Sequence, residues 1–228
     1  MVSISSNTIV KNGMPFIGRV LRQIAPYMEK MIVHYSVKSD DKTLDELMKV
    51  YHEVCPKMII TREDVELPAQ LTEIRNEQVK MTESDWILFL DDDDYWPRDQ
   101  LQLCLNELDI DEEVLAYSVI PYQLVDKLHY DYSWRKRSFS KFLRRKDLRY
   151  IKPWPRDLPA DKDNSPLYHK THPQVKSLSY KYFHLSHLKN GSFRKEEWAK
   201  KFIDKNIHPI QFDNPEIINE VNKIYEFL

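Results

Sequence analysis

The run Trp86–Trp96, WILFLDDDDYW, constrains this chain more than any other stretch. Its first five residues, Trp86, Ile87, Leu88, Phe89 and Leu90, are apolar, aromatic and branched, the composition of a short buried strand. Four consecutive carboxylates, Asp91, Asp92, Asp93 and Asp94, follow at once. At pH 7 such neighbours repel one another unless a cation stands among them or water screens them. An isolated acidic run is ordinarily a solvated loop. This one stands at the exit of a buried strand, where α/β proteins bind ligands, and that position favours a functional reading.

The surrounding sequence supplies partners for such a strand. Val2 to Val10 reads as a strand ended by Lys11-Asn12-Gly13, after which Ile17, Leu21, Ile24 and Met28 recur at helical spacing. Met31 to Tyr35 reads as a second strand. Thr43 and Glu46 fit a capping box opening a helix with Leu44, Leu47, Met48 and Tyr51 on one stripe, and Met58-Ile59-Ile60 reads as a third strand. A polar helix is predicted from about Pro68 to Met81. Pro97 suits the first turn of a helix carrying Leu101, Cys104, Leu105 and Leu108, and Val114 to Ile120 reads as another strand. This alternation predicts an α/β fold with a mostly parallel central sheet flanked by helices, and Asp91 to Asp94 at the carboxyl end of the fourth strand.

Lys plus Arg number 34 and Asp plus Glu 36, so net charge points to no partner and only its distribution informs. Cys55 and Cys104 lie in apolar helical patterns without CxxC spacing and are expected as buried free thiols in a reducing compartment. No apolar run approaches the ~18 residues needed to span a membrane. The start, MVSISSNTIVKNG, lacks a basic region followed by an apolar one, so no signal peptide and a cytoplasmic location are expected.

The chain has three glycines, Gly13, Gly18 and Gly191, and neither GxGxxG nor GxxxxGK[ST] occurs. A dinucleotide fingerprint and a P-loop are thereby excluded at the motif level. A phosphorylated ligand at this sheet edge needs another neutralising group, and a metal ion held by the carboxylates supplies one. Asp91 and Asp93 offer hard oxygen ligands at a spacing that can share Mn²⁺ or Mg²⁺. An EF-hand fits poorly, because its sixth position must be Gly and the sixth residue from Asp91 is Trp96.

Several segments, in order, resemble family-2 glycosyltransferases of the GT-A fold, a large inverting family: VKNGMPFIGRVL, then SDDKT at Ser39 to Thr43, then Arg75-Asn76 followed by DWILFLDDDDYW. The likeness covers roughly residues 2–120 and is loose beyond 125. It implies a Rossmann-like GT-A fold, with residues 1–125 as a nucleotide-sugar-binding core. Residues 126–228 would form a smaller acceptor-side region containing a basic segment, 134–156, and a final helix from Pro215 with Ile217, Ile218, Val221, Ile224 and Tyr225 on its apolar face. The implied reaction is metal-dependent transfer of a hexosyl or pentosyl group from a nucleoside-diphosphate sugar, a UDP-sugar first, with inversion. In that reading Asp91 and Asp93 are the DxD pair: Asp93 binds the metal, and Asp91 orients the sugar or ribose and shares the metal. Asn12, Asp41, Arg75 and Asp92 line the donor, and His184 in YFHLSH is a third metal ligand. The family's usual Asp before the second segment is Ser36 here, with Asp40 or Asp41 as substitutes. Asp92 and Asp94 also hold the turn into the next helix.

Inversion needs a general base to deprotonate the acceptor hydroxyl. The candidates are Asp126, Asp131, Asp157 and Asp161, with Asp157 preferred and Asp131 next. Segment 134–156 carries ten cations against Asp147 alone, interleaved with Trp134, Phe139, Phe142, Tyr150 and Trp154. It reads either as a solvated helix face with Arg144 and Arg145 on the diphosphate, or as an electrostatic footprint for a polyanion. The expected acceptor is a saccharide or lipid-linked glycan, with a modified nucleic acid such as hydroxymethylated DNA next and protein last. His169 and His172, in YHKTHP, are candidates for acceptor contact, while His187 is placed outside the metal site. Two rival functions stand beside this one: a two-metal nucleotidyltransferase and a nucleic-acid-binding module.

Overall fold

The computed structural model describes residues 2–63, 70–108, 111–124, 129–131, 139–151, 158–167, 172–188, 207–209 and 215–226. In chain order the elements are β1 (Ile4–Val10), α1 (Ile17–Ile24), β2 (Met31–Ser36), α2 (Thr43–Val54), β3 (Met58–Glu63), α3 (Leu71–Met81), β4 (Trp86–Phe89), β5 (Asp94–Tyr95) and α4 (Arg98–Glu107). They continue as β6 (Ala116–Leu124), β7 (His129–Asp131), β8 (Phe139–Arg144), β9 (Arg149–Tyr150), β10 (Pro159–Ala160), β11 (Val175–His184), β12 (Ile207–Pro209) and α5 (Pro215–Tyr225).

The expected α/β architecture is present. Strands β3, β2, β1 and β4 lie side by side in that order, all parallel. After β3 the chain returns past β1 to lay down β4 on its other side. The crevice between the carboxyl ends of β1 and β4 is therefore the topological switch point where open α/β sheets take ligands. Beyond β4 the sheet becomes mixed: β8 pairs antiparallel with β4 and β6, while β11 pairs parallel with β6 and antiparallel with β5.

Central strand β1, ISSNTIV, is buried throughout despite its polar residues. Ser5, Asn7 and the Thr8 carbonyl find partners from α3 and the segment after it, whereas the hydroxyls of Ser6 and Thr8 are buried without a hydrogen bond among the described residues. The Gln78 amide donates to the carbonyls of Thr8 and Ile32, Thr82 Oγ1 to Asn7 Oδ1, and Ser5 shares a hydrogen bond with Ser84. This explains how a polar helix packs on the sheet: its inward residues bond to polar groups of the strand. On the other face the main core gathers α1, Leu47 and Val50 of α2, Leu101 and Cys104 of α4, and Ile217, Val221 and Ile224 of α5.

Two local expectations are corrected. Cys55 is exposed, while Cys104 is buried. Thr43 does not cap α2. Its Oγ1 accepts from Gly13 N–H at 2.7 Å, its own N–H donates to Asp41 Oδ1, and Glu46 pairs with Arg22. Among the described residues, no helix is long and apolar enough to cross a membrane.

Candidate active site

Three loops meet at the switch point. The loop after β1 turns at Asn12, whose φ of 54° lies in the left-handed region that Asn tolerates. Asn12 Oδ1 accepts from Asp40 N–H, its own N–H donates to Ser39 Oγ, and Met14 N–H donates to Asp41 Oδ2. Asn12 and Asp41, both expected at the donor, thus bind the first two loops to each other. The third loop carries the aspartates and approaches Gly13 so closely that a Cβ there would lie 3.1 Å from Asp92 Oδ2 and 2.5 Å from Val10 Cγ2. Gly13 is therefore required by close approach.

Within the third loop, Asp94 N–H donates to Asp91 O, and Asp91 N–H donates back to Asp94 Oδ2. That reciprocal turn aims the side chains inward. Asp94 is fully buried, Asp93 nearly so, and Asp91 stands at the rim with 36% of its side chain exposed. Strand β11 runs alongside, with His184 opposite Asp94. His184 Nδ1 lies 2.9 Å from Asp94 Oδ1 and 3.2 Å from Asp93 Oδ1. Burial disfavours charge on this imidazole, but Asp93 and Asp94 outweigh it and raise its pKa above the ordinary histidine value. Arg75, buried over the Phe89 ring at 3.9 Å, donates to Asn7 O and brings NH2 to 3.7 Å from Asp91.

One participant has no counterpart in the sequence reading. Lys141, from the middle of β8, is buried with its Nζ 2.9 Å from Asp91 Oδ2 and 2.5 Å from Asp94 Oδ2. Burial works against its charge, yet Asp91 and Asp94 hold its pKa well above the ordinary lysine value. Burial likewise opposes the charge of Asp91, and Lys141 and Arg75 more than offset it, depressing that carboxyl below its usual range. The available signal was positional. Lys141 lies two residues after Phe139 and directly before Phe142 in a strand, and a lysine pointing into a core needs an acidic partner.

The remaining predicted residues fall elsewhere. Ser36 is fully buried, its Oγ accepting from Lys38 N–H, which leaves no surface for a base. Arg144 and Arg145 lie at the opposite end of β4, since Arg144 is paired with Trp86. Arg144 donates to Val114 O and Asp111 O, and Arg145 to Ser84 O. The helix-face reading of this segment is corrected: β8 is a strand, and its cations serve acids and carbonyls inside the fold. Asp161 accepts from the N–H groups of Asp163 and Ser165 and from His172 Nε2, so that pair is structural. Asp131 ends β7 opposite Gln123, which in turn lies opposite His184. Asp94, His184, Gln123 and Asp131 therefore form one row across adjacent strands. Asp126, Asp157, His169 and the flanks of 134–156 lie outside the described residues.

The donor set suits a divalent cation. One atom each from Asp91, Asp94 and His184 lie within 4.8 Å of one another, with Asp93 beside them. Carboxylate oxygens plus one imidazole fit Mn²⁺ better than Mg²⁺, which prefers an all-oxygen octahedron. His184 is thus shared between Asp93 and Asp94, and Asp94, expected only to hold the turn, joins the clustered donor set.

The family model described as Glycosyl transferase family 2 matches residues 16–171. No curated protein matches the sequence. The fold is similar to S. aureus TarS 1-349, with a TM-score of 0.55 at 17% identity over 81% of this chain and 61% of that one. It is also similar to TarS 1-349 in complex with UDP-GlcNAc, with a TM-score of 0.58 at 14% identity over 98% of this chain and 65% of that one. The UDP complex of TarS 1-349 gives 0.55 at 16% identity over 81% and 60%. This chain spans about 61% of the length of TarS 1-349.

Proposed function

Because the chain belongs to glycosyl transferase family 2, we propose that it transfers a sugar from a UDP-sugar to an acceptor hydroxyl, with inversion and with a divalent metal at the aspartate loop. The observation that carries this reading is the convergence of Asp91, Asp93, Asp94 and His184 at the β1–β4 switch point. When bound, the metal supplies Lewis-acid stabilisation to the departing diphosphate. Asp91, Asp94 and His184, with Asp93 beside them, would hold it. Asp91, exposed at the rim, faces the sugar or ribose, and Arg75 adds positive charge beside it. UDP as the nucleotide is supported by the UDP and UDP-GlcNAc complexes of TarS, a protein of similar fold.

Asp131 is the general base in this reading. Its support is the cross-strand row, which puts its backbone two inter-strand spacings, ~10 Å, from His184. Residues 126–228 then furnish the acceptor side, and the acceptor is a saccharide hydroxyl. A nucleic-acid acceptor is less well supported, because Lys141, Arg144 and Arg145 are committed to partners within the fold.

A thermal-shift screen of UDP-, GDP-, CMP- and dTDP-sugars, with and without Mn²⁺, tests the proposal. A stabilisation by a UDP-sugar that requires Mn²⁺ is expected. An equal shift without metal would overturn the metal, and a shift confined to another nucleotide would overturn the donor.

A further inference from the structure

We propose that Lys141 is a resident counter-cation of the aspartate loop, competing with the divalent metal so that metal is held tightly only together with the donor diphosphate. The inference rests on the metal-dependent reading given above. Its ground is position: Nζ bridges Asp91 Oδ2 and Asp94 Oδ2, the carboxylates of two of the three residues whose ligand atoms cluster within 4.8 Å.

The ammonium is built into the site. Its side chain is 3% exposed. The rings of Phe89 and Tyr182 stand 4.8 and 5.2 Å from Nζ, and the backbone of β8 is fixed by pairing on both sides, with β4 and β6. Residue 141 also neighbours Phe142, a fully buried core residue, so the strand cannot slide to withdraw the lysine without unpacking the core.

Charge counting then sets the consequence. Asp91 to Asp94 carry four negative charges, and Lys141 and Arg75 return two positive ones. A dication therefore meets two net negative charges where the carboxylates alone would offer four, and it finds an ammonium already seated on Asp91 and Asp94. A diphosphate restores negative charge beside the metal and adds oxygen ligands. Metal and donor therefore favour each other's binding, a coupling that is reciprocal by linkage. Removing the ammonium should leave three net negative charges, in place of two, to attract the metal. A like charge one carboxylate away weakens a cation by far more than tenfold at low dielectric, and by about tenfold or more at the effective dielectric of real sites.

The test is Mn²⁺ binding to the full chain without nucleotide, read from the EPR signal of free aqueous Mn²⁺, for wild type, Lys141→Met and Lys141→Arg. Lys141→Met is expected to bind Mn²⁺ at least about tenfold more tightly than wild type, with Lys141→Arg close to wild type. Adding UDP should tighten Mn²⁺ binding in wild type more than in Lys141→Met. Equal Mn²⁺ affinity in wild type and Lys141→Met overturns the inference alone. Absence of Mn²⁺ binding by all of these proteins, with or without UDP, overturns it together with the metal-dependent reading. Should Lys141→Met fail to fold, the ¹⁵Nζ resonance of Lys141 in the wild-type chain, assigned with Lys141→Arg, is followed on adding Mg²⁺ and UDP. A shift of that resonance is expected, and an unchanged one overturns the competition.

Discussion

The two ends of β4, a strand of four residues, solve the same problem in opposite ways. At the carboxyl end, carboxylates are crowded together and a buried ammonium, Lys141, enters from β8 to hold two of them. At the amino end, the same strand delivers Arg144, whose guanidinium lies 4.6 Å over the Trp86 ring and donates to two backbone carbonyls. A cation matched to carboxylates leaves a site dependent on charge balance. A cation matched to carbonyl dipoles leaves a joint that no ligand disturbs. Sequence places both in one basic run, and only the strand pairing separates them.

The comparison breaks first at Asp94. Its carboxylate accepts from Asp91 N–H and touches Lys141 and His184 while fully buried. Asp94→Ala leaves the buried ammonium with Asp91 alone, and truncating one partner of such a buried pair costs about 3–5 kcal/mol. Urea denaturation of the metal-free chain should show that loss. A midpoint within ~0.5 kcal/mol of wild type would mean that Lys141 is not held as described. Asp93 meets the same ring atom of His184 as Asp94, Nδ1, at 3.2 Å. Asp93→Ala should keep the fold but lower sugar transfer at saturating Mn²⁺ by about 10²–10³-fold, the loss typical of removing one group that stabilises developing charge. An unchanged rate would sink the role of Asp93 at the metal.

At the other end the expected effect is smaller and purely structural. Arg144→Ala removes two hydrogen bonds and a ring contact, a loss of about 1–3 kcal/mol, with Mn²⁺-dependent stabilisation by a UDP-sugar unchanged. A loss of donor binding in a stable Arg144→Ala chain would return Arg144 to the diphosphate, where its sequence context had put it. That outcome bears on what sequence can reveal. The alternation of β1 to β4 with their helices was legible because hydrophobic period is local, and the aspartate loop was legible because its composition is extreme. His184 was reached only through family likeness, since nothing local distinguishes it from His187. Lys141 was hidden among ten cations, because whether a lysine in a basic run faces acids or water depends on non-local pairing with β4 and β6. Asp41 and Asn12 show the converse: residues in the right segments whose side chains bind neighbouring loops.

Asp161 tests whether carboxylates away from the switch point behave like the arginine end, as parts of the frame. Burial opposes its charge, but the N–H groups of Ser165 and Asp163 and the His172 ring outweigh that, so its pKa lies below the ordinary aspartate value. Gln174 N–H donates to His172 Nδ1, which places the ring proton on Nε2, facing Asp161. A depressed carboxylate pKa contributes stability that is present above the unfolded value, near 4, and is lost as pH falls through the folded value. Asp161→Asn should therefore cost about 1 kcal/mol at neutral pH, and the difference from wild type should shrink as pH is lowered below about 4. Transfer activity should follow the folded fraction and nothing more. A fall in turnover of fully folded Asp161→Asn, with donor binding intact, would make Asp161 the acceptor's base and displace Asp131 from that role.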